Sequence, residues 1–339
     1  MSLSPGCAAA GEAPMSHRLF HYTMAGATLA VAGFSVWGVR AADIQVDLWQ
    51  VLPLAGVAVF LLALAAFYRW READKLVNVL LIVFWAVVFT NLHKFPMFIA
   101  ARQPFPLQDE LFVRIDRAIG LEVTDVLHWL ETSPGLTLFL SVSYALLIPL
   151  MTAAIVAPPM VDRMSASKEY IIASMVAALI SMPIFAVLPA IGPWTQYGYS
   201  ASPAQRSCEQ TLLGLKQPGA FLMDVTYADG LICFPSFHAI LAILAGVALW
   251  PVPYLRWPAA VLASLITVST LTTGWHYVID VLAGLVVVVI CVAAAKLFTR
   301  LEGAVARRAR ASHQAACPVI ATPAGETATS PTPTSPAPG

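Results

Sequence analysis

The stretch YVIDVLAGLVVVVICVAAAKLF occupies residues 277–298 and contains only two charged side chains, Asp280 and Lys296. An α-helix needs roughly 20 consecutive apolar residues to cross a bilayer, because lipid offers the backbone no hydrogen-bond partners. The stretch satisfies this requirement, and it therefore predicts a membrane-spanning helix.

Seven more apolar stretches precede it, and 59% of the 339 residues are hydrophobic whereas only 11% are charged. A soluble core of this size does not require so much apolar surface. We therefore predict an all-α fold, a polytopic integral membrane helical bundle of about eight transmembrane helices. The stretch at 236–250 is short, so it must extend backward or tilt. The other predicted spans are 21–39, 49–68, 76–93, 135–157, 170–191 and 258–275.

The basic residues are distributed unevenly between alternate loops of these spans. With a cytoplasmic N-terminus, twelve Lys and Arg residues fall on the inner side and seven on the outer side. Because basic residues favour the cytoplasmic side, both termini are predicted to be cytoplasmic, in a plasma or inner membrane. The start of the sixth span and the end of the seventh then lie on the extracytoplasmic face. The absence of net charge argues against a nucleic-acid partner.

Two short motifs occupy those two span ends. The first is Phe-Pro-Ser-Phe-His at 234–238, and the second is Thr-Gly-Trp-His-Tyr-Val-Ile-Asp at 273–280. His276 and Asp280 share a helix face, so the carboxylate can orient the ring for nucleophilic attack, while His238 can protonate a leaving group. A structural hydrogen bond between helices is the alternative for a lone histidine. Ionisable groups beside membrane spans are costly, and the combination predicts phosphoryl transfer with these three catalytic residues.

The backbone at both motifs is suited to binding an anion. Ser236 is a predicted N-cap, and the N–H groups in the first turn of a helix bind phosphate. Gly274 would allow a close backbone approach, and the helix beginning near Tyr277 would present a second positive end. Ser236 and Gly274 are therefore predicted substrate-binding residues.

The motifs resemble two signatures of the type 2 phosphatidic acid phosphatase (PAP2) superfamily. Pro-Ser-Phe-His at 235–238 is similar to its second signature, and Gly-Trp-His-Tyr-Val-Ile-Asp at 274–280 is similar to its third. Both are more similar to the inositol phosphorylceramide synthase-like (inositolphosphotransferase) branch than to classical lipid phosphate phosphatases. The resemblance covers about 76–298. It implies that His276 is the nucleophile, Asp280 its partner, and His238 the acid and base.

Four parts of the chain are predicted from this resemblance and from composition. Residues 1–20 form a disordered N-terminus, and 21–75 hold two additional transmembrane helices, the first of which could alternatively be a signal peptide. Residues 76–300 form the catalytic membrane domain with a six-helix PAP2-like core. Residues 301–339 form a basic and then disordered tail, rich in Pro, Thr, Ser and Ala.

Two outer connections are predicted to differ in character. Residues 94–134 have a helical, amphipathic spacing that is typical of segments lying at the membrane interface. Residues 192–235 are polar and lack a periodic pattern, and a long loop of this kind on a rigid helical frame is usually functional.

The sequence departs from the classical family pattern at the phosphate-binding cations. Classical members carry an arginine six residues before the nucleophile, where this chain has Thr270, and the stretch 188–194 lacks a basic residue. The synthase-like branch is similar in this respect. Lys94, Arg102 and Arg206 fall on the predicted catalytic face and are therefore predicted to bind substrate. The alternative for each is an interfacial snorkelling residue or an ion pair.

These residues predict a membrane lipid phosphoesterase or phosphotransferase. It would move a phosphoryl group or phospho-headgroup from a lipid phosphate or phospholipid to an alcohol or water, through a phosphohistidine-type intermediate. A simple lipid phosphate or polyprenyl diphosphate phosphatase is one alternative, and a non-enzymatic transporter or scaffold is another. A vanadate-binding haloperoxidase fits less well, because those relatives are soluble and hold the anion with several basic side chains.

No cofactor is predicted, and no metal. The spacing of Cys and His does not suggest a zinc site, and the two motif histidines have no third ligand near them in the sequence. Cys208 and Cys233 share one outer loop, where a disulfide is an open alternative to two free thiols.

Overall fold

The protein is almost entirely helical, in agreement with the predicted all-α class. The structure, a computed structural model, describes residues 14–225 and 230–316. The predicted disordered N-terminus at 1–20 is wrong for residues 14–20, which are helical, whereas residues 1–13 and the tail residues 317–339 lie outside the described residues. Within them the last helix continues through residue 316, beyond the predicted start of the tail at 301.

All eight predicted spans are helical. The first three are α1 (Pro14–Ala41), α2 (Leu48–Trp70) and α3 (Asp74–Leu92), and α3 is followed at once by α4 (Lys94–Ala101). The fourth is a bent pair, in which α7 (Pro134–Ala145) meets α8 (Leu147–Met160) at 43°. The remaining ones are α9 (Met164–Val187), α12 (Phe237–Leu249), α13 (Arg256–Thr272) and α14 (Val278–Ala316).

Fewer than eight of these helices are long enough to cross a bilayer alone. Five qualify by length and apolar composition among the described residues, or six if the bent pair counts as one span. The protein is therefore an integral membrane protein with fewer full-length spans than predicted. Helix α12 has 13 residues, a length of about 20 Å, which is less than the roughly 30 Å hydrocarbon layer. It can be short because it lies inside the bundle, where eight of its residues are buried.

Helix α12 is the centre of the bundle. It packs against α8, α9, α13 and α14. A Cβ atom added at Gly246 would lie 3.1 Å from Cβ of Ala263, so the small side chain lets α12 and α13 approach closely. A buried ion pair adds a polar link between α9 and α14, because Nζ of Lys168 lies 3.0 Å from Glu302. Glu302 also accepts a hydrogen bond from the main chain of Phe20, which ties in α1.

The outer connections carry shorter elements. The segment 94–134 contains α5 (Asp109–Ala118) and α6 (Val123–Glu131). The segment 192–235 contains α10 (Trp194–Tyr197), α11 (Pro203–Lys216) and strand β2 (Phe221–Met223), which pairs in parallel with β1 (Ile44–Val46).

Helix α11 corrects the prediction that 192–235 has no periodic structure. It begins with a capping box, in which Ser202 accepts from the main chain of Gln205 and the Gln205 side chain accepts from the main chain of Ser202. The sequence Ser-Pro-Ala-Gln at 202–205 carries this signal, since a Ser N-cap, a Pro at the first helical position and a Gln at the third favour a helix start.

Candidate active site

The two sequence motifs meet at one end of the bundle. His238 is the second residue of α12, and His276 lies in the short connection between α13 and α14. The centroids of the two imidazole rings are 6.4 Å apart. Asp280 lies in the first turn of α14, so the three residues predicted to be catalytic are close together.

His276 is held through one ring nitrogen. Its Nδ1 atom lies 2.9 Å from the main-chain oxygen of Cys233 and 3.3 Å from Oδ2 of Asp280. The ring is 3% exposed, and this burial lowers the pKa of His276 to about 4, although the hydrogen bond to Cys233 acts in the opposite direction. The ring is therefore neutral at pH 7. A proton on Nδ1 satisfies both acceptors, which leaves the lone pair on Nε2.

Asp280 is a fully buried carboxylate with several contacts through one oxygen. Its Oδ2 atom accepts from the main-chain N–H of Tyr277 at 2.8 Å and from the thiol of Cys233 at 3.2 Å, in addition to facing His276. Its Oδ1 atom has no hydrogen-bond partner among the described residues. The carboxylate thus fixes the turn that carries His276 as well as the ring itself.

His238 contacts an aromatic residue of the bent span. Its ring stacks on Tyr144 with a centroid separation of 4.9 Å and an interplanar angle of 14°. A third histidine lies near the same helix start, since the ring of His93 is 6.1 Å from the ring of Phe237. His93 lies outside both motifs, and no sequence signal marks it as part of the site.

Ser236 and Gly274 have structural contacts at the site. Ser236 is the N-cap of α12, as predicted, with its Oγ accepting from the main chain of Ala239, and its own N–H donates to the carbonyl of Asp280 at 3.0 Å. Gly274 has φ +69°, and an added Cβ would lie 2.6 Å from the hydroxyl of Tyr199. That hydroxyl donates to the Gly274 carbonyl at 2.6 Å, so the glycine allows close approach of a protein side chain. Substrate binding by either residue remains a prediction.

The start of α14 is already occupied by a carboxylate. Asp116 of α5 accepts from the main-chain N–H groups of Val278 at 2.8 Å and of Ile279 at 2.9 Å. The helix start near Tyr277 was predicted to present a positive end to the substrate anion, but its Val278 and Ile279 N–H groups are bound by Asp116 instead. Burial raises the pKa of Asp116 to about 6, and the two hydrogen bonds act in the opposite direction.

A second carboxylate of α5 holds another part of the site. Asp109 accepts from the main-chain N–H groups of Ile191 at 3.1 Å and Gly192 at 2.9 Å, and from the hydroxyl of Tyr277 at 3.0 Å. Burial raises the pKa of Asp109, while these hydrogen bonds lower it. The sequence did not identify Asp109 or Asp116. The signal was present, because two acidic residues seven apart lie on the same helix face as apolar Phe112.

The three predicted phosphate-binding cations all donate to main-chain oxygens. The guanidinium of Arg102 contacts the carbonyls of Leu215 and Gln217, each at 2.8 Å, and also those of Ala42 and Gly219. Lys94 donates to Val225 at 3.1 Å. Arg206 is exposed and donates to Ala201. The arrangement around Arg102 favours a role in bracing the connections over a role in phosphate binding.

One cluster near the motifs has the residue types of a metal site. The ligand atoms of Cys233, His276 and Asp280 lie within 4.8 Å of one another, so Cys233 is a third potential ligand that the sequence did not bring to the histidines. The contacts between these atoms have hydrogen-bond lengths of 3.2 and 3.3 Å. A metal on Nδ1 of His276 would have to replace its 2.9 Å hydrogen bond to a carbonyl oxygen. The arrangement therefore fits a hydrogen-bond network better than a metal site.

Cys208 and Cys233 are both free thiols, so the disulfide left open by the sequence is not formed. The Cys208 thiol donates to the carbonyl of Gly230 at 3.2 Å, whereas the Cys233 thiol faces Asp280. Burial raises the pKa of both thiols.

Comparison with known proteins gives one family. A family model described as the PAP2 superfamily matches residues 110–294, which is more than half of the chain and includes both motifs. A search of curated proteins and a search of solved structures each give no match.

Proposed function

The chain belongs to the PAP2 superfamily, and we propose that it transfers a phosphoryl group or phospho-headgroup from a membrane lipid to an alcohol or water. Membership supports a phosphatase-type lipid phosphoesterase, with membrane lipids as its surroundings and its substrates. The transfer to an alcohol, the covalent intermediate and the residues in each role belong to the proposal.

The observation that carries the proposal is the arrangement around His276. Both acceptors lie at Nδ1, with the Cys233 carbonyl at 2.9 Å and Asp280 at 3.3 Å, so Nε2 is left with a lone pair. In the first step Nε2 attacks phosphorus and the bond from phosphorus to the leaving oxygen breaks. Positive charge then develops on the ring, and the buried carboxylate of Asp280 stabilises it.

His238 is the proposed acid and base. Its ring is 6.4 Å from that of His276 between centroids, which is compatible with a phosphoryl group held between the two. In the first step His238 gives a proton to the leaving oxygen. In the second step water or an alcohol attacks the phosphohistidine, His238 takes the proton of the attacking hydroxyl, and Nε2 of His276 leaves. Stacking on Tyr144 fixes the plane of the His238 ring during both steps.

The negative charge of the transferred group requires compensation. The first turn of α12 supplies N–H groups, and Lys94 is the cation that we favour, because the neighbouring His93 contacts Phe237 beside His238. Arg206 is a second candidate. Arg102 is less suited, because its guanidinium already donates to four carbonyls.

The inositolphosphotransferase-like branch is the part of the superfamily that we favour, on the wording of the two motifs and on Thr270 in place of an arginine. In that branch the acceptor is an alcohol. We further propose that both termini are cytoplasmic and that the site faces the extracytoplasmic side, since basic residues are in excess on the other side. In this proposal α1 and α2 are additions to the catalytic domain.

The test is an assay of purified protein against lipid phosphates, polyprenyl diphosphates and phosphoinositides, with and without an added acceptor alcohol. We expect turnover of at least one donor, formation of a phospho-alcohol when the acceptor is present, and no turnover by His276→Ala. Release of inorganic phosphate without any phospho-alcohol would replace the proposal by simple phosphatase activity. No turnover of any donor by folded protein would favour the transporter or scaffold, and full activity of folded His276→Ala would overturn the mechanism.

A further inference from the structure

We propose that α5 is a clamp on the candidate active site, in which Asp109 and Asp116 are positioning residues that hold the backbone around His276. The inference rests on the proposed function, because it assigns a role in the reaction of that site. Both carboxylates accept hydrogen bonds from main-chain N–H groups and Asp109 also accepts one from the Tyr277 hydroxyl, so each acts through the groups that it binds.

Asp116 fixes the segment immediately after His276. It is fully buried, and its two carboxylate oxygens accept separately from Ile279 at 2.9 Å and from Val278 at 2.8 Å. The preceding N–H, that of Tyr277, goes to Asp280. Three consecutive N–H groups at the start of α14 are thus bound by two carboxylates, which leaves the turn that carries His276 little freedom.

Asp109 fixes a second segment against the first. It is 4% exposed, and it binds the N–H groups of Ile191 and Gly192 while it also accepts from the hydroxyl of Tyr277. Tyr277 is the residue next to His276 and is fully buried. One carboxylate therefore links the connection after α9 to the connection before α14.

Apolar side chains that lie between Asp109 and Asp116 along α5 complete the clamp. Phe112 stacks on Phe234 of the first motif, with ring centroids 4.7 Å apart, and its ring is 5.7 Å from that of Tyr277. Phe112 and Val113 form a buried cluster with Cys233 and Tyr277. The face of α5 therefore touches both motifs, including Cys233, whose carbonyl holds the His276 ring.

The physical reason for such a clamp is the sensitivity of group transfer to geometry. A displacement of about 1 Å in a reacting group can cost roughly 10²-fold in rate. His276 lies in a connection between two helices, and a connection has less intrinsic rigidity than a helix. Hydrogen bonds to charged carboxylates are among the stronger ones available, so two of them can hold the turn in one position.

The test compares three variants of the full-length protein in lipid nanodiscs. Asp116→Asn keeps the shape but replaces one acceptor oxygen by a donor that faces an N–H group. Asp116→Glu keeps the charge and both acceptors. Glu110→Gln is the matched control, because Glu110 is exposed on the same helix. His276→Ala is measured alongside with the same donors.

We expect kcat of Asp116→Asn to fall by about 30-fold or more, while KM for the lipid donor stays within about threefold of the value for the unsubstituted protein. The reason is that the lipid donor still binds, whereas the ring of His276 is misplaced. Asp116→Glu should recover at least part of that loss, and Glu110→Gln should keep full activity. The affinity for orthovanadate, which imitates a transferring phosphoryl group, should fall in parallel with kcat. Melting temperatures of the variants should stay within about 4 °C of that of the unsubstituted protein.

Three results would contradict the clamp. These are an unchanged kcat in Asp116→Asn, an equal loss in Glu110→Gln, and a loss of activity fully explained by a smaller folded fraction, with the remaining protein turning over normally. If His276→Ala is inactive while Asp116→Asn is fully active, the clamp fails and the proposed function stands. If folded His276→Ala is active, the proposed function fails, whatever the result for Asp116.

Discussion

The Nδ1 atom of His276 lies closer to the main-chain oxygen of Cys233, at 2.9 Å, than to Oδ2 of Asp280, at 3.3 Å. A main-chain carbonyl can only accept a hydrogen bond, so it selects the ring form with a proton on Nδ1 without help from the carboxylate. Asp280 then has two other duties, which are to stabilise positive charge on the ring and to hold the N–H of Tyr277.

This arrangement predicts a moderate effect of Asp280→Asn. The amide oxygen of the asparagine can take the place of Oδ2. Its NH₂ group then takes the place of Oδ1, which has no hydrogen-bond partner among the described residues. Since the Cys233 carbonyl still selects the ring form, we expect a fall in kcat of about 10²-fold, rather than the roughly 10⁴-fold seen when a triad carboxylate alone sets the tautomer. Steady-state kinetics measure this, with His276→Ala as the inactive reference. A loss as large as that of His276→Ala would show that Asp280 alone orients the ring.

The thiol of Cys233 is predicted to be dispensable and unreactive. It donates to Oδ2 of Asp280, but the ring of His276 is held by the main chain of Cys233, which a substitution keeps. Burial raises the pKa of this thiol well above its usual value, so little of the reactive thiolate forms at pH 7. We expect Cys233→Ser to keep activity within about tenfold. Treatment of the folded original protein with a maleimide should leave activity unchanged, and rapid inactivation that Cys233→Ser abolishes would contradict this.

Much of the bundle could be predicted from the sequence, because apolar runs and their polar breaks are local signals. All eight apolar stretches are helices, and the two motifs meet as their positions at span ends implied. The number of full-length spans could not be predicted in the same way. Helix α12 is short because neighbouring helices cover it, and that cover is a property of the fold rather than of the stretch.

The supporting contacts of the site were less accessible to prediction. The carbonyl of Cys233 holds His276, and a main-chain group has no signature in the sequence. Asp109 and Asp116 act on segments about 80 and 160 residues away in the chain, a pairing that only the tertiary structure reveals. Lys94, Arg102 and Arg206 were predicted to bind phosphate from their charge and from their place on the predicted catalytic face, and neither property shows which groups a side chain contacts. Arg102 instead binds the main-chain carbonyls of Leu215 and Gln217, which are distant from it in the sequence and come close to it only in the folded protein.

Substitution of Arg102 is predicted to lower the stability of the protein, whereas substitution of Lys94 is predicted to lower its activity. Arg102→Gln removes hydrogen bonds to several main-chain carbonyls, including those of Leu215 and Gln217, so we expect a loss of stability of about 2 kcal/mol or more and a normal kcat per folded molecule. Lys94→Gln removes one such bond, and we expect a fall in kcat of about 10²-fold with little change in stability.

The measurement for this pair combines thermal unfolding with turnover normalised to the folded fraction. Arg114→Gln is the matched control, because Arg114 is an exposed arginine on α5. A large fall in kcat for folded Arg102→Gln would return Arg102 to the phosphate site. If neither variant changes kcat by more than about threefold, less than about 1 kcal/mol in the barrier, main-chain N–H groups must compensate the phosphoryl charge.

The pH dependence of the reaction is predicted to report on Asp116. Burial raises the pKa of Asp116 to about 6, with smaller contributions in the same direction from the carboxylates of Asp280 and Glu122. Below pH 6 the protonated group loses its charge and an acceptor, so its hold on Val278 and Ile279 weakens. The pKa of His276 is about 4, so the nucleophilic ring stays neutral throughout this range. We therefore expect kcat to fall as the pH drops through about 6.

The two groups affect the stability of the fold in opposite directions as the pH falls. The pKa of Asp116 is raised from 3.8, its value in the unfolded chain, to about 6 in the folded protein. Its contribution to stability is therefore fully present below pH 3.8 and is lost as the pH rises through about 6. The lowered pKa of His276 means that its contribution is present above 6.5 and is lost as the pH falls toward 4. Profiles of kcat from pH 4.5 to 8, with return of samples to pH 7.5 as the control for folding, test the prediction. The kcat of Asp116→Asn is expected to be lower at every pH and should no longer fall near pH 6. If kcat of this variant still falls near pH 6, another group is responsible for that fall.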